Sequence, residues 1–558
     1  MPPRAEVSPD TMTTSADAPL SDTPTTRRPP AALVLLALAA LSFVADFWHV
    51  RQFRMLGDDW VYLGRLVNCG DAEAWRQIID TFLHSWEARP LVGLEHALLW
   101  SGFKIAGLSG SYLVQWVLLS VSAFVLYRLM RRKTPEGIAL LTALIFILYP
   151  AYNTRAWAAS TVNALGLLFV LLALEQFASG RRVWFAVLAT ASLLTYELAF
   201  FQVVLAPFFA PGATKRNMRE AYLIAALILA GYGLWRGLIL PTYQPDARAD
   251  LVRERGIVPT PRGYLSKLAS APRVILLRDQ GDALERVIQR TGRRGMLLIL
   301  LGAMAAPWAL SRRFFRALSE ALGWGYSRAL VIGRRRTPPH RYAALVHEDT
   351  SALTACAGIG LLSIFAGTVL NFWAPAAIDF TFASRFNCYS SVGAAIFMAA
   401  VLGAAGRLSR QSWRRTLIVP VITLYLCVLF LFRWSIQADY VDSAAKQARI
   451  LDAISRQAQS VGPADALLLE GLNLSPPFPP AIAGATWELH ALASSVLGRE
   501  VKCFAPHHIL SADASSVWFG DEEINSRVTY RQYARERLVH IDLTPIYSTL
   551  YPPSPDQR

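Results

Sequence analysis

The stretch AALVLLALAALSFVADFWHV, residues 31–50, decides the fold class of this chain. Its only charged residue is Asp46, and twenty residues are the length of helix that crosses the hydrocarbon core of a bilayer. The run begins soon after Arg27 and Arg28 and ends before Arg51, so it is long for the apolar core of a cleaved secretory signal. We therefore interpret residues 31–50 as an uncleaved transmembrane anchor.

Apolar runs of similar character recur along the chain. They lie at residues 111–130, 137–152, 161–178, 220–240, 295–310, 351–374, 389–405 and 416–433. A longer run, 183–211, carries the single charge Glu197 and has basic residues beyond both ends. We predict that this run enters and leaves the membrane as two short helices that meet near Tyr196 and Glu197. The chain then has about eleven membrane crossings, each run being close to the length of one span.

The overall composition agrees with a membrane protein. The chain has 558 residues, of which 54% are hydrophobic and only 17% charged, and its mean hydropathy is +0.33. Soluble domains carry about a quarter charged residues. The net charge of +15 comes largely from Lys and Arg beside the apolar runs, which is typical of cytoplasmic loops. Nucleic-acid binding, which needs a basic patch with stacking aromatics in a soluble domain, is not expected.

The positions of the basic clusters predict the orientation of the chain. Clusters at 131–133, 181–182, 215–216 and 414–415 are consistent with one cytoplasmic face. The N-terminus is then inside and the C-terminus is outside. The number of crossings before the basic loop 241–294 places that loop outside as well. The Ala- and Arg-rich composition suggests a bacterial inner membrane, so the outer face would be periplasmic.

This pattern divides the chain into three parts. Residues 1–30, rich in Pro, Thr, Ser and Asp, are predicted to be a disordered cytoplasmic tail. Residues 31–433 form the transmembrane domain, with a periplasmic loop at 51–110. Residues 434–558 contain no further apolar span and are predicted to form a small α/β soluble domain in the periplasm.

The residues that could carry chemistry begin with Gly57-Asp58-Asp59-Trp60, a few residues beyond the first span. The paired carboxylates allow three interpretations. One of them could act as a general base on an acceptor hydroxyl, the pair could bind a divalent metal, or both could be solvated loop residues. No cofactor is certain, and a divalent metal stays open.

Other polar features accompany this acidic pair in a fixed order. Arg89-Pro90 follows in the same loop, and the third span ends in Tyr149-Pro150 shortly before Arg155. Leu193-Leu194-Thr195-Tyr196-Glu197 lies at the centre of the hairpin, and Ser384-Arg385-Phe386-Asn387 begins a late span. Charge within or beside a membrane is costly, so these positions are functional candidates.

The order of these motifs resembles the GT-C class of glycosyltransferases, which use a polyprenyl- or dolichyl-phosphate sugar. The resemblance is nearest to protein O-mannosyltransferase-like members and their bacterial relatives, and covers roughly residues 31–210 and 380–400. Two positions depart from the class: Tyr149 stands where the class has His, and Tyr196 stands where it has Lys.

The resemblance implies roles for particular residues. Asp58 or Asp59 would be the catalytic base, with Asp58 favoured. The departing lipid phosphate would be contacted by three arginines: Arg385, Arg89 and Arg155. The surrounding cavity would include Glu197, Tyr196 and Trp60. The implied donor is a polyprenyl-phosphate sugar, and the acceptor is a hydroxyl of a glycan, lipid or protein.

The sequence alone leaves two other function classes open. A transporter or flippase would need broken helices or midplane charges in two related halves, and only the hairpin with Glu197 has this character. A non-catalytic scaffold would use the C-terminal domain to bind a partner. The enzyme hypothesis requires that Asp58, Glu197 and Arg385 lie around one site at the outer membrane edge.

Overall fold

The computed structural model describes residues 30–84, 89–212, 214–240, 261–309, 339–369, 385, 387–408, 417–458, 462, 465–471, 485–522 and 528–550. The predicted tail lies outside these residues except for Pro30, as do the first part of the basic loop and the cluster 414–415. The described part is mostly helical, with strands confined to the C-terminal region.

Up to Gln457, the secondary structure of the described residues is helical. In chain order they are α1 Ala31–Ser42, α2 Asp59–Val67, α3 Asp71–His84, α4 Val92–Arg131, α5 Glu136–Leu148, α6 Thr161–Ala178, α7 Arg182–Thr195, α8 Glu197–Phe200, α9 Ala206–Phe209, α10 Lys215–Leu234, α11 Pro261–Arg273, α12 Asp279–Ala309, α13 Pro339–Thr368, α14 Cys388–Leu408 and α15 Val419–Gln457. The last of these runs without a break from an apolar span into the C-terminal region.

Seven helical segments of the described residues are long and apolar enough to cross a membrane. They are Ala31–Gln52, Val92–Arg131, Ala158–Ala178, Lys215–Ile239, Ser351–Thr368, Cys388–Arg407 and Val419–Gln457. Shorter apolar helices lie at Glu136–Leu148, Arg182–Thr195 and Glu197–Phe209. These segments confirm the polytopic helical class. The predicted span 295–310 corresponds to the last part of α12, beyond a kink at Gly292 where φ is 68°.

The predicted break in the long apolar run is present at Tyr196. This residue has extended backbone angles (φ −159°, ψ 119°) between α7 and α8. Both ends of the run lie at the same end of the bundle, since Arg182 Nε donates to Glu220 at 3.0 Å and Lys133 Nζ donates to the Ala210 carbonyl at 2.8 Å. The run therefore folds back on itself, as predicted.

These contacts define two ends of the helical bundle. The clusters 131–133, 181–182 and 215–216 lie together, and Arg132 Nη1 donates to the Ala178 carbonyl at 3.2 Å. We call this the basic end. The break at Tyr196 lies at the other end of α7, so the hairpin tip marks the opposite end. Which end faces the cytoplasm stays a prediction.

The described part of the basic loop packs at the opposite end. Tyr149, which follows the C-terminus of α5, donates its hydroxyl proton to the Ile275 carbonyl at 2.5 Å. Arg286 of α12 forms an ion pair with Asp439 of α15 and donates to Ser435 Oγ at 3.2 Å. Residues 274–290 thus lie away from the basic end. The count of membrane crossings also predicts that the basic loop and the basic clusters are at opposite ends.

The C-terminal region is a small α/β unit, as predicted. Its strands are β1 Ala466–Glu470, β2 Lys502–Phe504, β3 Ile509–Ala512, β4 Ser516–Glu522, β5 Val528–Ala534 and β6 Leu538–Asp542, with helices α16 Thr486–Leu497 and α17 Thr544–Leu550. One sheet is parallel, in the order β2-β1-β6, and the other is antiparallel, in the order β3-β4-β5. Strand β1 pairs with β2 on one side and with β6 on the other, and its residues Ala466, Leu467, Leu468 and Leu469 are buried.

Candidate active site

Asp58 and Arg385 are in direct contact although 327 positions separate them in the sequence. Gly57 has a positive φ of 52°, which allows the chain to turn sharply into α2, and Asp58 is the N-terminal capping position of that helix. Asp58 Oδ2 accepts a hydrogen bond from Arg385 Nη1 at 3.1 Å. The Arg385 guanidinium also lies over the Trp157 ring, 5.0 Å from its centroid. Both side chains of the pair are partly exposed, 19% for Asp58 and 29% for Arg385.

Asp59 has a different environment from its neighbour, because its side chain is fully buried. Three donors converge on it: Ala159 N–H at 2.7 Å, the Tyr112 hydroxyl at 3.1 Å and Leu56 N–H at 3.3 Å. These bonds tie α2 to α4 and to the segment before α6. Asp59 is therefore held in place by the fold, while Asp58 is the more exposed member of the pair.

Burial also changes the acidity of Asp59. Removal from water raises the pKa of its carboxyl group to about 7, and the converging hydrogen bonds from Ala159, Leu56 and Tyr112 act in the opposite direction. The ordinary value of such a group is 3.8, so the folded protein binds an extra proton between these two values.

A dependence of stability on pH follows from this shift. Because the folded-state pKa is raised, the contribution of Asp59 is fully present below its unfolded value and is lost as the pH rises towards 7. The thermal unfolding temperature in detergent should therefore fall less between pH 5 and pH 7.5 in Asp59→Asn than in wild type. The other titrating groups are the same in both proteins, so their effects cancel in the comparison. Equal slopes of unfolding temperature against pH would contradict the raised pKa of Asp59.

Glu197 anchors a second group of charges near the hairpin break. Its carboxylate accepts from Arg89 Nε at 2.8 Å, from Arg236 Nη1 at 2.9 Å and from the Tyr232 hydroxyl at 3.0 Å. Arg236 follows α10 in a short π-helical turn, Trp235–Ile239, and was missed by the sequence analysis. Arg89 and Glu197 were both predicted, and the structure brings them together.

Tyr196 packs on this second group and is close enough to Arg385 to act on its charge. The Arg89 guanidinium lies 4.3 Å from the centroid of the Tyr196 ring, and that ring stacks with Tyr389 at 6.2 Å. Burial opposes the charge of Arg385, but the interactions with Asp58 and Tyr196 raise the pKa of the guanidinium above its ordinary value. We call Asp58, Arg385, Tyr196, Arg89, Glu197 and Arg236 the site cluster.

Glu95 is a further acid that the sequence analysis missed. It lies in the first turn of α4, is 3% exposed, and accepts from Val162 N–H at 2.9 Å. Asp59, Arg385 and Arg89 are close enough to act on it electrostatically. The available signal was a glutamate inside an apolar stretch, which is costly unless the group has partners.

Arg155 lies outside the site cluster. It is 1% exposed, pairs with Asp46 at 3.1 Å and donates to the Phe146 carbonyl at 2.9 Å. Arg433 binds the other oxygen of the same carboxylate, with 2.6 Å between Arg433 Nε and Asp46 Oδ1. The role of Arg155 at a donor phosphate stays a prediction, and its burial among these partners favours a structural role instead.

Trp60 lies where α2 meets the C-terminal region. Its side chain is 8% exposed and belongs to a hydrophobic core that includes Leu489 of α16 and Ile450 of α15. A side-chain hydrogen bond of 2.6 Å from Asn68 Nδ2, at the end of α2, to Ser495 Oγ of α16 also joins α2 to α16. The role of Trp60 as a cavity residue stays a prediction, and its packing connects the acidic pair to the C-terminal region.

Metal ligands do not cluster in the part of the chain that the structure describes. Within it, no three His, Cys, Asp or Glu side chains are grouped closely enough to hold an ion. The site cluster brings carboxylates and guanidinium groups together.

The fold and the site define a multi-pass membrane protein with a cluster of acids and arginines at the end of its bundle opposite the basic end. No family model matches the sequence, and no curated protein matches it. Among solved structures, the chain is similar to ArnT from Cupriavidus metallidurans in the apo state and bound to undecaprenyl phosphate. Both show 14% identity over 85% of each chain, with TM-scores of 0.31 and 0.30. A similarity of this size carries no conclusion about the chemistry of this chain.

Proposed function

We propose that this chain is a membrane glycosyltransferase of the GT-C type, which moves one sugar from a polyprenyl-phosphate donor to an acceptor hydroxyl at the periplasmic face of a bacterial inner membrane. One observation carries the proposal: the accessible carboxylate of Asp58 lies 3.1 Å from Arg385, in a cluster that also contains Arg89 and Arg236. A base and cations that stabilise an anion are the two requirements of this reaction.

Asp58 is the general base in this proposal. Its carboxylate takes the proton of the acceptor hydroxyl as the acceptor oxygen forms a bond to the anomeric carbon of the sugar. The bond between that carbon and the phosphate oxygen breaks, and its electron pair leaves with the lipid phosphate. Side-chain bases of this kind contribute about 10²–10⁴ to a rate when they are correctly placed.

The arginines stabilise the departing lipid phosphate. Negative charge grows on the phosphate in the transition state, so preorganised donors beside it lower the barrier. Guanidinium matches phosphate with paired N–H donors, and Arg385 is the nearest such group to Asp58. When the donor binds, Arg385 exchanges its contact with Asp58 for the phosphate, and Asp58 becomes a stronger base.

Arg89 and Arg236 have a supporting place at the same phosphate. Both are bound to Glu197, which holds their guanidinium groups side by side, and Tyr196 packs against Arg89. Tyr196 occupies the position where the related class has a lysine. Here the Arg89 guanidinium lies against that ring, and Arg236 adds a second cation on the same Glu197 carboxylate.

The test measures the fate of a labelled donor. Purified protein is incubated with a polyprenyl-phosphate sugar labelled in the sugar and with envelope acceptors, and free polyprenyl phosphate is measured together with labelled acceptor. Arg385→Gln is expected to lower transfer by about 10²–10³, the loss seen when one transition-state donor is removed. The control Arg216→Gln, an 86% exposed arginine at the basic end, is expected to keep wild-type transfer.

The same assay separates the proposal from transport. In sealed vesicles, a transporter or flippase moves the labelled lipid to the other leaflet and leaves the sugar–phosphate bond intact. Movement of intact donor without release of polyprenyl phosphate would overturn the glycosyltransferase proposal.

A further inference from the structure

The C-terminal region packs directly on the helix that presents the acidic pair. Helix α16 contacts α2, and Trp60 of α2 is enclosed by Leu489 of α16 and other apolar side chains. Asn68 at the end of α2 is hydrogen-bonded to Ser495 at the far end of α16. Contacts at both ends of α2 fix the orientation of α16 relative to Asp58.

This packing places Glu488, in the first turn of α16, against Asp58. Glu488 is 8% exposed, and its carboxyl group lies within hydrogen-bonding reach of that of Asp58. The backbone N–H of Ala485 also donates to the Glu488 carboxyl group, and the positive charge of Arg385 acts on it. Asp58 therefore has a cationic partner on the membrane domain and an acidic partner on the C-terminal region.

Two carboxyl groups in hydrogen-bond contact cannot both be ionised without strong repulsion, so one of them keeps a proton. Burial, and then the charge of Asp58 and the hydrogen bond to it, raise the pKa of Glu488 well above its usual range. Glu488 is therefore the donor of this bond, and the more exposed Asp58, beside Arg385, is the acceptor.

We propose that Glu488 is a positioning residue for sugar transfer: its protonated carboxyl group donates to Asp58 and holds the ionised base in a fixed orientation. The C-terminal region is then part of the active site, because its packing on α2 brings Glu488 to Asp58. The inference rests on the proposed function, because it assigns Glu488 a role only through the base. During transfer the acceptor proton moves to Asp58, and the proton of Glu488 stays on Glu488.

Other charges on the elements packed against α16 define the field at Glu488. They include Asp58, which caps α2, and Asp59, Tyr62 and Arg65 of α2, together with Lys446, Arg449, Asp452 and Arg456 of α15, Lys502 of β2, Asp521 of β4, and Arg385. Asp58 and Arg385 are the charged groups with the largest effects on Glu488. His490, two residues further along α16, is bound instead to Asp521 at 2.9 Å and to Cys503 N–H at 2.9 Å.

The test compares the pH dependence of transfer in four proteins. Wild-type kcat should fall at high pH as Glu488 loses its proton, because two negative carboxylates repel each other and the base loses its orientation. Glu488→Gln keeps a hydrogen-bond donor that cannot titrate, so it should keep kcat near neutral pH, with the high-pH fall shifted upward or absent. Glu488→Ala should lower kcat about 10- to 100-fold with little change in KM for the donor, the effect of losing a hydrogen bond to a charged group.

The matched control is Glu536→Gln, which changes an exposed glutamate of the same region and should leave both kcat and the pH profile unchanged. If Glu488→Ala does not fold, as judged by size-exclusion chromatography in detergent, the Glu488→Gln profile decides alone. If kcat of Glu488→Gln depends on pH as kcat of wild type does, the inference is overturned. Loss of transfer in Asp58→Asn together with that result would leave the proposed function standing, whereas the absence of any transfer by the wild-type protein would remove the proposed function itself.

Discussion

Replacing Asp58 by asparagine is expected to reduce the rate of sugar transfer by about 10²–10⁴, because an amide cannot take the acceptor proton. The change keeps the size and shape of the side chain, and the oxygen of the new amide can still accept from Arg385. Binding of the donor should be nearly unchanged, so the loss should fall on kcat rather than on KM. Initial rates of transfer from a labelled polyprenyl-phosphate sugar measure both quantities.

The neighbouring residue provides the matched comparison. Asp59 receives hydrogen bonds from Ala159, Tyr112 and Leu56 and has no exposed surface, so it does not meet the acceptor. In Asp59→Asn, the new side-chain NH2 group faces N–H and O–H groups that now donate to the carboxylate. The unsatisfied contact should lower the stability of the protein. Transfer per folded molecule should fall much less than in Asp58→Asn.

Two outcomes would contradict this division of roles. Equal loss of kcat in both folded variants would mean that the pair acts as one unit, as it would when both carboxylates bind a metal ion. Full transfer in Asp58→Asn combined with loss in folded Asp59→Asn would make the buried residue the base. Each outcome is read from rates normalised to protein recovered by size-exclusion chromatography.

The sequence was sufficient for the parts of this molecule that depend on apolar length and residue order. Runs of about twenty apolar residues predict spans because the bilayer has a fixed thickness, and basic residues at both ends of 183–211 require a fold-back near Tyr196. The motif order resembles a known class, and that resemblance required Asp58 and Arg385 to lie around one site, although it did not predict a direct contact between them. All these predictions use information that is local or that recurs in a family.

Contacts made by tertiary packing could not be predicted in this way. Glu488 lies in the first turn of an ordinary helix of a soluble region, and nothing in its neighbourhood indicates that this turn rests on Asp58. Arg236 follows a span as many lipid-facing arginines do, and only the fold shows that Glu197 is its partner. The side chains that complete a site often come from elements whose own sequence pattern carries no such signal, because docking and not propensity places them.

A cluster buried among the helices gives the largest expected effect on stability. Asp46 is bound by both Arg155 and Arg433, and all three side chains are 1% exposed. Arg433 also donates to the Tyr152 carbonyl at 2.8 Å, so the cluster joins the first span, the segment after α5 and α15. The carboxylate of Asp46 is shared by two guanidinium groups. The loss of Asp46 therefore affects both ion pairs, whereas the loss of Arg155 affects only one.

Replacing Asp46 by asparagine leaves both arginines buried without a carboxylate, and removal of one partner from a buried ion pair costs about 3–5 kcal/mol. The thermal unfolding temperature in detergent should fall strongly. Arg155→Met should cost much less, since the pair of Asp46 with Arg433 remains and a flexible apolar side chain fills the space. Folded Arg155→Met should keep most of its transfer activity, because the arginine holds the fold and not the phosphate. Loss of transfer in that variant, with an unchanged unfolding temperature, would instead place Arg155 at the donor phosphate, as the sequence resemblance implied.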